Sequence, residues 1–153
     1  MKVRILLILI GLLPLPVGFL INRLMMTIWL YTISSGLLWF TGLFFILLWY
    51  IAGFVSVKWV DSRKDTLIYL NAVPGLVLIL VLFQEFIIGR YWPNWAGIST
   101  QFYYLPLMHV SSNIMRFLPI RTIMLAYICI VAFSIQFLAS FLGRKRGERS
   151  LRG

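Results

Sequence analysis

The sequence predicts an all-α polytopic membrane protein, a bundle of four transmembrane helices with its N- and C-termini both cytoplasmic. Three observations carry that prediction. Four apolar runs, roughly 3–21, 24–57, 66–88 and 119–142, each reach the ~18 residues at which an apolar stretch reads as a span. Hydrophobic residues make up 61% of the 153 residues and charged ones 12%, a balance that would force a soluble domain of this size to expose large apolar patches. The basic residues sort by side. Lys2 and Arg4, Lys58, Arg63 and Lys64, and the tail from Arg144 to Arg152 hold ten of the 14 Lys and Arg, against Arg23, Arg90, Arg116 and Arg121 on the other side. The excess belongs in the cytoplasm, and four crossings satisfy it. Sorting by side also accounts for the net charge of +10, so no nucleic acid is expected as a partner.

The first run starts Met-Lys-Val-Arg like a signal peptide but lacks a small-x-small cleavage pattern around Leu13-Pro14-Leu15-Pro16, and is expected to be retained as a helix. Pro14 and Pro16 each remove a backbone donor, so a kink is expected near its middle.

The second run is too long for one crossing: about 34 residues at 1.5 Å is roughly 50 Å, against a hydrocarbon core of ~30 Å. The sequence leaves two solutions, one long tilted helix over about 24–57, which is preferred, or a break at Ser34-Ser35-Gly36. Asn22 and Arg23 alone separate it from the first run, which requires a tight turn there. Trp29, Tyr31, Trp39, Trp49, Tyr50 and Trp59 are expected to anchor it at both interfaces.

In the short loop that follows, Asp61 or Ser62 can cap the third helix. Along that helix Asn71, Gly75, Leu78, Leu82, Glu85 and Gly89 step by three or four and so share a face that should meet other helices. The aromatic segment of about 90–118 on the extracytoplasmic side is too broken by proline to span. It is expected in the headgroup layer or over the outer ends of the helices.

The fourth run repeats the small-and-polar stripe in Thr122, Ala126, Cys129, Ala132, Gln136, Ser140 and Gly143. Residues 1–142 thus form a single transmembrane domain, and 143–153 a basic cytoplasmic tail whose Arg144, Lys145 and Arg146 are candidates to contact anionic lipid or a partner.

Few groups could carry chemistry. Glu85 is the only carboxylate within an apolar run, the default candidate for function in any membrane protein, with Arg90, Arg116 or Arg121 able to neutralise it. Asn71, Gln84 and Gln136 add intramembrane amides, and Gly75, Cys129, Ala132, Ser140 and Gly143 form a candidate packing interface. His109 is the lone histidine and Cys129 the lone cysteine, so no His pair, disulfide or thiolate metal site can form within the chain. The sequence presents no catalytic constellation and calls for no cofactor. The expected role is that of a noncatalytic subunit or scaffold component of a larger membrane complex, acting through helix–helix contacts with other integral membrane subunits. A small transporter or channel with Glu85 on its path is the alternative, and an immunity- or holin-like protein a second one. Short loops and strong charge bias suit a bacterial cytoplasmic membrane.

Overall fold

Proline sets the shape of the first span. In the computed structural model, which describes residues 2–27, 35–117 and 124–151, α1 runs over Lys2–Leu12 and α2 over Pro14–Thr27. The ladder breaks between them because Pro14 has no N–H to give. Leu13 N–H instead closes a tighter turn on the Ile10 carbonyl at 3.1 Å, and Pro14 takes the first position of the next helix, where its fixed φ suits. The two segments together give a candidate span over Val3–Met26.

Asn22 and Arg23 lie inside α2, not in a turn, and Leu24 to Thr27 belong to that helix and not to the second one. Neither residue lacks an N–H nor carries glycine's conformational freedom, so the ladder runs through both positions. Within the described residues the second span is α3, Ser35–Ser56, a length that suits one crossing; residues 28–34 of the long helix expected over about 24–57 lie outside the described part. Trp29 and Tyr31 lie outside the described residues, and Trp49 is no interfacial anchor, being fully buried in the core.

Ser62, in extended conformation, accepts the Asp65 N–H at 3.4 Å and starts α4 at Arg63–Leu82. Asp65 then sits in the first turn, where a carboxylate suits the helix dipole, and also meets Arg4 at 3.0 Å. The helix continues as a π-helical stretch over Phe83–Ile88 and is ended by Gly89, whose φ of 71° is open to glycine at no steric cost. The last long helix, α7, spans Leu125–Ser150. It therefore carries straight through the basic segment, which is not a separate tail, because Arg144 and Glu148 pair across one turn and favour the helix. Residues 118–123, which include the start of the fourth apolar run at 119, lie outside the described part.

Among the described residues four helices are thus long and apolar enough to cross a membrane. All elements in the described residues are helical. The basic ends of α1, α4 and α7 gather at one end of the bundle, tied by the Arg4–Asp65 and Arg63–Glu148 ion pairs.

The aromatic segment does something else. It folds as a helical hairpin, α5 at Trp95–Tyr103 and α6 at Leu105–Met115, started by the Asn94 side chain accepting the Gly97 N–H at 3.0 Å. Nine residues of α5 rise about 14 Å, half of a ~30 Å hydrocarbon core. Its tip does not rest on the ends of the helices: Tyr103 and Tyr104 are 1% and 0% exposed, and their hydroxyls reach Gly11 and Pro74, near the middle of the first and third spans. The hairpin re-enters the bundle with its two tyrosine hydroxyls each satisfied by a main-chain carbonyl of another span, as a polar group closed off from water requires.

Candidate functional site

Polar groups of the described bundle fall into three levels. At the end away from the basic cluster, the π-helical stretch turns two consecutive side chains inward. Gln84, fully buried, donates to Thr100 Oγ1 at 3.0 Å and to its own helix at Leu80, while its carbonyl oxygen accepts the Trp92 N–H at 3.0 Å, tying the start of the hairpin to α4. Glu85 accepts the Ala126 N–H at 2.8 Å and the Tyr91 hydroxyl. Ala126 is in the first turn of α7, whose N-cap residue, Met124, offers no side-chain bond. Glu85 is thus a capping carboxylate delivered from another helix, set against the positive end of the α7 dipole. Burial first, and then the bond to Glu85, hold the Tyr91 phenol well above its usual range, so it stays a donor.

The expected ion pair of Glu85 is not formed among the described residues. Arg90 is exposed past the helix end and Arg116 lies beyond α6, while Arg121 falls outside the described part. A backbone N–H and a phenol satisfy the acid instead.

At the middle level, Asn71 donates to Ser140 Oγ at 3.1 Å and to Leu67 O at 2.9 Å, joining α4 to α7. Gln136 lies one turn from Ser140 and one from Phe133, whose ring packs beside Gly75, so it stands level with the Asn71–Gly75 turn. It is fully buried and both ends of its amide lack a partner. Trp49, one turn from Gly53, which packs on Ser140, stands at the same level with its indole N–H unpartnered.

The small-residue stripe of α7 faces inward throughout. Cys129, Ala132 and Ser140 are buried, and a Cβ on Gly143 would collide with the Tyr50 carbonyl. Gly53 meets the Ser140 backbone and Gly147 meets Phe54, so α3 and α7 approach backbone to backbone through a small-residue seam. The candidate packing residues Cys129, Ala132, Ser140 and Gly143 therefore pack within the chain, and Gly75 lies beside the Phe133 ring.

At the basic end, Arg144 is 2% exposed and is not a lipid contact. Its guanidinium donates to Thr66 Oγ1 at 3.0 Å, the Asp61 carbonyl at 2.9 Å, Ser56 Oγ at 3.5 Å and Glu148 at 3.0 Å. One cation thereby fastens α3, the 57–62 loop, α4 and α7, using the planar fork of donors that lysine lacks. Glu148 is shared with Arg63. Beside them opens a cavity of about 620 Å³ bordered by Asp61, Arg63, Lys64, Arg144 and Glu148. Lys145 and Arg146 are exposed, as a surface contact requires.

Sequence reasoning missed Tyr103, Tyr104, Thr100, Thr66 and Ser56 as partners. A tandem tyrosine in a proline-flanked apolar segment was the available sign for the first two. Comparison with protein-family models, with curated proteins and with solved structures finds no match for this chain.

Proposed function

We propose that this protein is a noncatalytic integral-membrane component of a larger assembly, acting through its lipid-facing helix surfaces. The observation that carries the reading is the engagement of Glu85. The one carboxylate of the apolar stretches is held by the start of α7 and by Tyr91, so it works as a structural cap and is not held free for proton or cation exchange. With the interior closed by its own packing, the outward face of α3, built from Trp39, Phe40, Leu43, Phe44, Leu47 and Ile51, is the surface offered to other helices. The charge bias supports placing both termini in the cytoplasm of a bacterial cell.

The test is native mass spectrometry of the tagged protein extracted gently from its own membrane. Reproducible co-purification of different subunits is expected; a lone monomer or homo-oligomer overturns the reading.

One observation favours a transporter or channel as the second reading. The unpartnered Gln136 amide and Trp49 N–H share a level with the hairpin tip and the proline of α4, and broken helices meeting re-entrant ones at mid-depth is how transporters build binding sites.

A further inference from the structure

A cleft opens to the outside between α4 and α7, in the half of the bundle nearer the basic end. Its volume is about 370 Å³, within the ~300–1,000 Å³ of ordinary ligand sites. Leu67, Ile68, Phe133 and Phe137 wall it, Asn71 lies at its inner end and Lys64 at its mouth. Asn71 lies seven positions beyond Lys64, about 10 Å along the helix, so the cleft is an apolar slot of that depth headed by a cation. The slot does not stand alone. Lys64 also borders the polar cavity at the basic end, so a molecule with an apolar tail in the first can place a polar head in the second.

The charges at that junction select the head. Arg63 and Arg144 share Glu148, whereas the exposed Lys64 side chain makes no hydrogen bond or ion pair among the described residues. Lys145 and Arg149 add further positive charge around the same carboxylate. Asp61 and Glu148 are outweighed there by Arg63, Lys64 and Arg144 with Lys145 and Arg149 close by, so an anion is the complement of the basin, and an apolar chain of the slot. We propose that the α4–α7 cleft binds one chain of an anionic phospholipid whose phosphate is received by Lys64. This is a discrete intramembrane site, different from the diffuse attraction of a basic tail to an anionic surface.

The test uses the full chain, delipidated in detergent and titrated with phosphatidylglycerol or with phosphatidylcholine of the same chains, with bound lipid counted by native mass spectrometry. One phosphatidylglycerol is expected to bind about tenfold more tightly than phosphatidylcholine. Ile68→Trp, at a position 62% exposed and therefore tolerant of size, fills the slot and is expected to abolish that preference. Lys64→Gln leaves the slot open and is expected to weaken phosphatidylglycerol about fivefold. Arg146→Gln, beside Phe54 and away from the slot, is expected to leave it unchanged. Equal binding of the two lipids overturns the proposal, as does unchanged phosphatidylglycerol binding in both Ile68→Trp and Lys64→Gln. Loss confined to Arg146→Gln would return the interaction to the tail and also overturn it. Lys64→Gln, at an exposed position, keeps the question open to decision even if Ile68→Trp fails to fold.

Discussion

The Glu85 carboxylate accepts the Ala126 backbone N–H at 2.8 Å, so the acid of the third span caps the fourth. The cap needs an acceptor at this place more than it needs a charge. Glu85→Gln keeps an oxygen there and is expected to fold with a loss below about 1 kcal/mol, whereas Glu85→Leu removes it and is expected to cost about 1–2 kcal/mol. Thermal unfolding of the detergent-solubilised protein, followed by fluorescence-detected size exclusion, ranks the variants. Equal stability of Gln and Leu variants would show that the acid does no capping.

Tyr103 and Tyr104 hold the hairpin by hydroxyls donated to Gly11 and Pro74. Removing one hydroxyl forfeits a buried hydrogen bond between the hairpin and a span, so Tyr104→Phe is expected to cost about 0.5–1.5 kcal/mol. Cys129, buried in the same core as Tyr104, reports the loosening directly. Its labelling by a maleimide is expected to be slow in the native protein and clearly faster in Tyr104→Phe and in Tyr103→Phe. Labelling at the native rate in both would mean that packing alone seats the tip.

How far these relationships could be read from the sequence depends on how local their causes are. Pro14 breaks a ladder by its own missing N–H, and Ser62 caps a helix three residues away, so both were legible. The apolar runs likewise fix four spans by length. Leu24 was assigned to the wrong helix because an uninterrupted apolar run contains no mark of where one helix stops. Tyr103 and Tyr104 find their acceptors 92 and 30 residues away, and nothing near them in sequence points to those carbonyls. Arg144 looks in sequence like its neighbours Lys145 and Arg146; only the close approach of α3 at Gly143 and Gly147 draws it inside.

Burial separates Arg144 from those neighbours in experiment as well. Arg144→Gln leaves Thr66, Ser56 and the Asp61 carbonyl short of a donor and Glu148 short of a cation, and is expected to cost about 3–5 kcal/mol. The double variant Lys145→Gln/Arg146→Gln is expected to stay within about 0.5 kcal/mol of the parent, as exposed substitutions do. Melting temperatures of the three proteins in one detergent decide it. A tolerated Arg144→Gln would contradict the fastening role.

The seam between α3 and α7 makes a further demand. Gly143→Leu places a side chain where the Tyr50 backbone stands, and Gly53→Leu does the same against Ser140. Overpacking of this kind typically costs about 1–3 kcal/mol, more where backbone and not a side-chain tip must yield. Both variants are therefore expected to lower the yield of folded monomer before any partner is considered. Normal yield and melting of Gly143→Leu, with partners lost, would instead place that glycine on an outer surface.

Gln136 separates the two functional readings. Its amide is fully buried in α7 and neither its nitrogen nor its oxygen has a partner, in a layer shared with the Trp49 N–H. Such a group costs about 1–3 kcal/mol of desolvation, and a leucine of similar volume in its place removes that cost. In a purely structural bundle Gln136→Leu is expected to raise stability by about 1 kcal/mol and to leave co-purifying subunits unchanged. In a transport protein the same amide is a ligand for whatever crosses, and the variant gains stability while losing function, the trade expected where polar strain serves activity. Melting temperature alone is therefore not decisive. Paired with native mass spectrometry and growth of the host it is: a more stable Gln136→Leu that holds its subunits and still supports growth favours assembly, and one that holds them but no longer supports growth moves the function to the mid-bundle layer.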